Sequence, residues 1–306
     1  MVLKALKAPL ELEERPIPVA THDEILLKVK ACAVCRTDLH IIDGEVPATL
    51  PLIPGHQIIG EVIELGSSSN RFQLGDRVGL PWLGHTCGKC AFCRSGAENL
   101  CDKAIFTGLD RSGGFAEYCT AKEDFSFPLP DGYPDDAQAA PLLCAGMIGY
   151  RAYRMAEGAE RLGLYGFGAS AHLLIQLACY EGKECFVFTR PGDEKTQKVA
   201  REMGAIWAGD STTTAPELLD AALIFAPVGP LIPEALKAVR KGGSVISAGI
   251  HMSDIPSFPY KHLFGERIIR SVANLTRRDG EEFLALAPKV PIAVQVKYGG
   301  PRILDN

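Results

Sequence analysis

The chain reads as a compact, mostly antiparallel β domain followed by a doubly wound parallel α/β sheet. Two observations in the sequence predict this. Residues 1–134 are rich in Pro, Gly and short β-branched runs, whereas from Asp135 onward apolar runs of strand length alternate with helical ones. Strands and helices alternating at that spacing demand right-handed crossovers and hence a parallel sheet. With 306 residues and 47% apolar content, there is enough material for two packed cores.

In order, EILLKVKACAV, GEVIELG and GDRVGLPW are strands of the first domain. Asp43-Gly44, Pro54-Gly55 and Gly75-Asp76 are turns between them. FPLPDGYP (127–134) is a linker. Asp135 to Arg154 is helical, interrupted at Pro141. RLGLYGF, ECFVFT, AIWAG, DAALIFA, SVISAGI and RIIRSVAN are strands. ASAHLLIQLACYEG, GDEKTQKVAREMG and PLIPEALKAVRKGG are helices, with Gly204 capping the second. The predicted domains are 1–134, 135–288 and a short return segment at 289–306.

A net charge of −5 and a pI near 5.9 argue against nucleic acid or an anionic membrane as partner. Leu162 to Tyr180 carries no charged residue, but its glycines suit a strand and helix better than a membrane span. The start, MVLKALKAPLELEERP, lacks the apolar core of a signal peptide, so a reducing cytoplasm is expected. In that setting clustered cysteines read as metal ligands. Cys87, Cys90, Cys93 and Cys101 follow C-x2-C-x2-C-x7-C, the spacing of a tetrahedral, fully thiolate and therefore structural zinc site. Two disulfides are the alternative.

Gly166-Phe167-Gly168-Ala169-Ser170-Ala171 is G-x-G-x-x-A between a predicted strand and helix. Gly166 permits the turn, Gly168 lets backbone approach a pyrophosphate, and Ala171 allows close helix packing. An NAD site usually places Asp or Glu about 20 residues onward. Here Phe188-Thr189-Arg190-Pro191-Gly192 stands there, and Thr189 and Arg190 suit a 2′-phosphate, so NADP(H) is expected over NAD(H). Cys35 and His56 in the first domain and Cys144 at the domain join could together leave a zinc position open, although singly each is an ordinary core residue.

The motifs CRTDLH, GHQ, the cysteine lobe, PLLCAG and GFGASA stand together in the order seen in zinc-dependent medium-chain alcohol dehydrogenases, which the chain resembles from Leu10 to Pro291. The placement looks closest to the bacterial, cinnamyl-alcohol-dehydrogenase-like branch. The resemblance implies a GroES-like catalytic domain and a Rossmann domain, two zinc ions per chain, and hydride transfer between an alcohol or aldehyde and NADP(H). It implies that Cys35, His56 and Cys144 hold catalytic zinc and that the four clustered cysteines hold structural zinc. Thr37 would take the alcohol proton, His40 would relay it, and Asp38 would orient His56. Arg36 would approach the pyrophosphate, and Trp82 would wall the substrate pocket. A homodimer or homotetramer is implied. Two departures point to impaired catalysis. Gln57 stands where the family has Glu, and the ending AVQVKYGGPRILDN is unlike the family's, as a truncated return segment would be.

Overall fold

The computed structural model describes residues 1–290 and 292–297. The expected return segment at 289–306 lies partly outside them. The chain divides into two units: residues 1–144 with 274–288 and 293–297, and 145–273 with 289–290 and 292. The division therefore falls at Cys144 rather than in the 127–134 linker.

In the first unit, β1 (Glu24–Cys32), α1 (Arg36–Ile42), β2 (Ile58–Leu65) and β3 (Arg77–Leu80) are followed by the short pair β4 (Leu83–His85) and β5 (Ile105–Phe106), which flank the one-turn α2 (Ala91–Arg94). β6 (Tyr118–Lys122), β7 (Phe127–Pro128) and α3 (Asp136–Ala139) complete the run. The main sheet is antiparallel, in the order β6-β1-β2-β3-β7. Alternation along β1 and β2 sends Ile25, Leu27, Ile58 and Val62 to one side, where they pack with Phe72, Val78 and Cys119. Each such aliphatic side chain contributes about 1.5–3 kcal/mol on full burial.

The second unit opens with α4 (Ala145–Met155). The helical stretch expected over 135–154 with an interruption at Pro141 tightens into a 3-10 turn at Ala140–Leu143 and is broken at Cys144, whose φ/ψ of −129°/−70° is not helical. Then come β8 (Arg161–Tyr165), α5 (Ala169–Tyr180), β9 (Glu184–Thr189), α6 (Glu194–Glu202) and β10 (Trp207–Asp210). The chain continues through β11 (Leu219–Ile224), α7 (Leu231–Ala238), β12 (Val239–Ser247) and β13 (Ile268–Ser271). The helix expected through Gly243 ends at Ala238, because Val239 already pairs with Leu219 as the start of β12. The six strands are parallel, in the order β10-β9-β8-β11-β12-β13. Helices α4, α5 and α6 bury Ala152, Leu174, Ile175 and Ala200 on one face, and α7 buries Ile232, Ala235 and Leu236 on the other. The strand order reverses between β8 and β11, and ligands of such sheets bind at the carboxyl ends of the strands flanking that point. The chain then returns to the first unit as α8 (Arg277–Leu286), opened by a Thr276/Asp279 capping box. Among the described residues no helix is long and apolar enough to cross a membrane.

Candidate active site and metal centres

Cys35 is the N-cap of α1, in extended backbone. Asp38, three residues on, turns back so that its Oδ2 accepts from the Cys35 N–H at 2.7 Å. Its Oδ1 accepts from the Gly55 N–H at 3.2 Å and faces His56 Nδ1 at 3.0 Å. One fully buried carboxylate thus ties the two loops together and draws the Nδ1 proton of His56 toward itself, which leaves Nε2 as the nitrogen that could hold a metal. That Nε2 is buried and has no hydrogen-bond partner, as expected of an atom built to hold a metal.

Cys144 completes the cluster, its Sγ 3.9 Å from Cys35 Sγ, and the ligand atoms of Cys35, His56 and Cys144 all lie within 4.8 Å of one another. A tetrahedral zinc with arms of 2.3 Å separates its sulfurs by about 3.8 Å, whereas a disulfide needs about 2.05 Å. The donor set therefore fits zinc. Hydrogen bonding from Cys144 pulls the Cys35 thiol down to about 3, and the same contact drives Cys144 up. Burial opposes charge on His56, but Asp38 and Cys35 outweigh it and raise the imidazole to about 10.

Around this cluster, Thr37 Oγ1 lies 3.7 Å from Cys35 Sγ. The Trp82 ring meets His56 edge-on, 4.9 Å between centroids, and stacks on Phe106 at 5.2 Å. His40 shares a face of α1 with Thr37, three residues apart. Its Nδ1 pairs with Glu45 Oε2. Sequence reasoning missed Glu45. The readable signal was the Asp43-Gly44 turn, where Gly44 at φ +77° folds the chain back until the Glu45 and Val46 N–H groups both donate to the His40 carbonyl. Gln57 is buried, and its Nε2 donates to the Ala33 carbonyl at 3.3 Å. Arg36 is exposed on α1.

The four-cysteine lobe is a second metal-ready cluster. Its sulfurs all lie within 4.8 Å, with Cys87–Cys93 at 3.9 Å and Cys90–Cys93 at 3.5 Å. Backbone N–H groups of Cys90, Cys93 and Lys103 already point at the sulfurs of Cys87, Cys90 and Cys101, each at 3.4 Å. The N–H groups of Lys89 and Cys90 lead in pulling Cys87 down to about 6. Glu98 inside the lobe is buried and bound by the Arg277 guanidinium, at 2.7 Å to Nη2, and by the Arg277 backbone N–H at 2.8 Å.

In the second unit Gly166 sits at φ +85°, and a Cβ there would meet Ala226 Cβ at 2.8 Å, so only glycine fits this turn. Gly168 is the N-cap of α5, has no capping side chain, and faces open space where a Cβ would stand. The opening N–H groups of α5 are therefore available to a pyrophosphate beside the strand-order reversal. Ala171 is fully buried. Thr189 departs from its expected role. Its hydroxyl lies inside the fold, accepting from Gln197 Nε2 at 3.0 Å and donating to the Arg190 and Gly209 carbonyls. Arg190 points outward, 91% exposed, and meets Asp193 only at 3.6 Å.

The Alcohol dehydrogenase GroES-like domain family matches residues 21–131. A probable alcohol dehydrogenase AdhA of Mycobacterium tuberculosis is 47% identical over 295 residues, 94% of this chain and 84% of that protein. A solved structure from Sinorhizobium meliloti 1021 bound to NADP superposes with a TM-score of 0.84 at 25% identity, covering 96% of this chain and 89% of that one. Acetophenone reductase from Geotrichum candidum in complex with NAD gives 0.83 at 27%, covering 98% and 89%. Sequence likeness over nearly the whole length, joined to this fold, places the chain in the zinc-type medium-chain alcohol dehydrogenase family.

Proposed function

We propose that this oxidoreductase interconverts an alcohol and its aldehyde with NADP(H), using zinc held by Cys35, His56 and Cys144, while a second zinc in the Cys87/Cys90/Cys93/Cys101 lobe is structural. The observation that carries the reading is the buried His56 Nε2, without a hydrogen-bond partner, in a cluster whose ligand atoms lie within 4.8 Å of one another and whose two sulfurs are 3.9 Å apart. When bound, zinc supplies Lewis acidity that eases loss of the alcohol proton and, in reverse, polarises the carbonyl. NADP(H) supplies the hydride chemistry.

The chain's own residues handle position and protons. Asp38 fixes the His56 ring. Thr37 Oγ1 holds the alcohol proton, and His40, on the same face of α1, takes it outward. Glu45 receives the Nδ1 side of His40 and, at 42% side-chain exposure, reaches solvent. Trp82 and Phe106 line the approach to His56 with aromatic surface, which suits an uncharged substrate. Gly166, Gly168 and the start of α5 receive the pyrophosphate. Arg190 receives the 2′-phosphate, and the buried Thr189 has no direct part. The NADP of the Sinorhizobium structure supports this cofactor, and the NAD of the Geotrichum one supports the rival. Among the described residues β13 is an edge strand of its sheet, with Ile268 exposed, which supports a homodimer or homotetramer.

A second reading, a catalytically impaired member that still binds zinc and nucleotide, is favoured by Gln57, a neutral amide beside His56. Zinc analysis together with cofactor oxidation by aromatic and short aliphatic aldehydes separates them. Two zincs and turnover support the first reading. Two zincs without turnover in folded protein support the second, and zinc absent from the Cys35 cluster refutes both.

A further inference from the structure

The turn that carries Arg190 is built more firmly than an exposed loop requires. Asp193 N–H donates to the Arg190 carbonyl at 3.1 Å, Pro191 follows Arg190, and Gly192 sits at φ +77°. Pro then Gly with positive φ is the signature of a type II turn. The turn is also tied at both ends. The Thr189 carbonyl accepts from the Ser211 N–H at 2.8 Å, and Asp193 Oδ1 caps α6 by accepting from the Thr196 N–H at 3.2 Å. In its middle, the Gly192 N–H donates to Asp210 Oδ1 at 3.1 Å. Asp210 is the last residue of β10, opposite Thr189 in the register. The same Oδ1 accepts from Gln197 Nε2 at 2.8 Å, and that amide also donates to Thr189 Oγ1. Gln197 is buried on α6, so the latch rests on packed structure.

We infer that Asp210, braced by Gln197, is a positioning residue for cofactor selectivity: by holding the Gly192 N–H it pre-orients the Arg190-Pro191-Gly192 turn toward a 2′-phosphate. This rests on the NADP(H) reading. Arg190 has a long, exposed side chain with only a 3.6 Å ion pair to restrain it. Order must therefore come from its backbone. A type II turn needs its central peptide held one way round, and Gly192 offers no side chain to do so. An acceptor on the neighbouring strand performs that task. Releasing it restores the conformational freedom of about one residue, which binding would then have to remove, corresponding to roughly tenfold in affinity. The pyrophosphate contacts, set by the Gly166–Ala171 turn, stay unchanged, and NADH carries no 2′-phosphate for Arg190 to hold. NADH binding is thus insulated from the latch.

The test uses the full zinc-loaded chain with Asp210→Ala, Asp210→Asn and Arg190→Ala, titrating NADPH and NADH by nucleotide fluorescence and following Gly192 amide exchange without cofactor. Asp210→Ala is expected to weaken NADPH about tenfold, leave NADH within twofold, and speed Gly192 exchange. Asp210→Asn keeps the acceptor oxygen and loses the charge, so it retains slow exchange and binds NADPH at least as well as the parent. Arg190→Ala loses the NADPH preference with Gly192 exchange unchanged. If Asp210→Ala weakens both nucleotides equally, or neither, or tightens NADPH, the positioning role is overturned. If Arg190→Ala removes the preference while Asp210→Ala does not, the inference falls and the cofactor reading stands. If Arg190→Ala leaves the preference intact, both fall.

Discussion

Asp38→Asn is the sharpest probe of the proposed catalytic centre because the substitution preserves shape and removes one acceptor. The carboxylate serves three N–H donors: Cys35 on Oδ2, and Gly55 and His56 on Oδ1. An amide has one oxygen. If that oxygen keeps the Oδ1 place, the new NH2 faces the Cys35 N–H donor to donor. If it takes the Oδ2 place, the NH2 faces two donors, and His56 must surrender its Nδ1 proton and present the wrong nitrogen to the metal. The first arrangement loses least: one charge-assisted hydrogen bond, worth about 1.5–3 kcal/mol, plus the repulsion of a buried unpaired donor. A stability loss of about 3 kcal/mol follows for the metal-free chain. Loss of the partner that orients a metal-binding histidine typically costs 10–100-fold in metal affinity or activity. The assays are urea unfolding of metal-free protein and zinc competition against a chelator, with the cysteine lobe as internal reference. If stability changes by less than about 0.5 kcal/mol and the weaker-held zinc shifts by less than twofold, then Asp38 does not brace this site and the reasoning is wrong.

Three further outcomes are expected. The carboxyl of Glu98 is raised by burial, but hydrogen bonds from Arg277 pull it below its usual value; the pair therefore stabilises the fold above about pH 4.5 and is lost as pH falls through the depressed value. The stability gap between parent and Glu98→Gln should be 1 kcal/mol or more near pH 6 and shrink toward pH 3; a gap independent of pH contradicts the pairing. Gln57→Glu sets a carboxylate against the Ala33 carbonyl, and should destabilise metal-free protein by about 1–3 kcal/mol while altering the rate of zinc loss to chelator; no change in zinc loss or turnover would remove Gln57 from the argument. Gly166→Ala combines positive φ with a clash at Ala226, so a loss of about 1–3 kcal/mol and weakened binding of both nucleotides are expected, read by thermal melts and titration.

Several elements escaped sequence reading for identifiable reasons. Helix α1 is seven residues long, too short for apolar periodicity to show. Helix α8 announced itself only by its Thr276-to-Asp279 spacing, the kind of signal that packing must confirm. Val239 continued a good helical pattern, but pairing with Leu219 claimed it for β12. Here tertiary context overrode local propensity. Thr189 was read as reaching the cofactor, yet in a strand whose sides alternate, the register turned its hydroxyl inward to Gln197.

The sequence by itself determined what depends on neighbours along the chain. The cysteine lobe was legible because its four cysteines fall within one loop, and the G-x-G-x-x-A turn because glycine's freedom is a local property. Only the tertiary structure decided that Cys144 brings its sulfur to 3.9 Å from Cys35 across 109 residues, that Asp38 carries both Cys35 and His56, and that Asp210 on one strand steadies the turn after another. Such meetings depend on register and core packing summed over the whole fold, which no local spacing encodes.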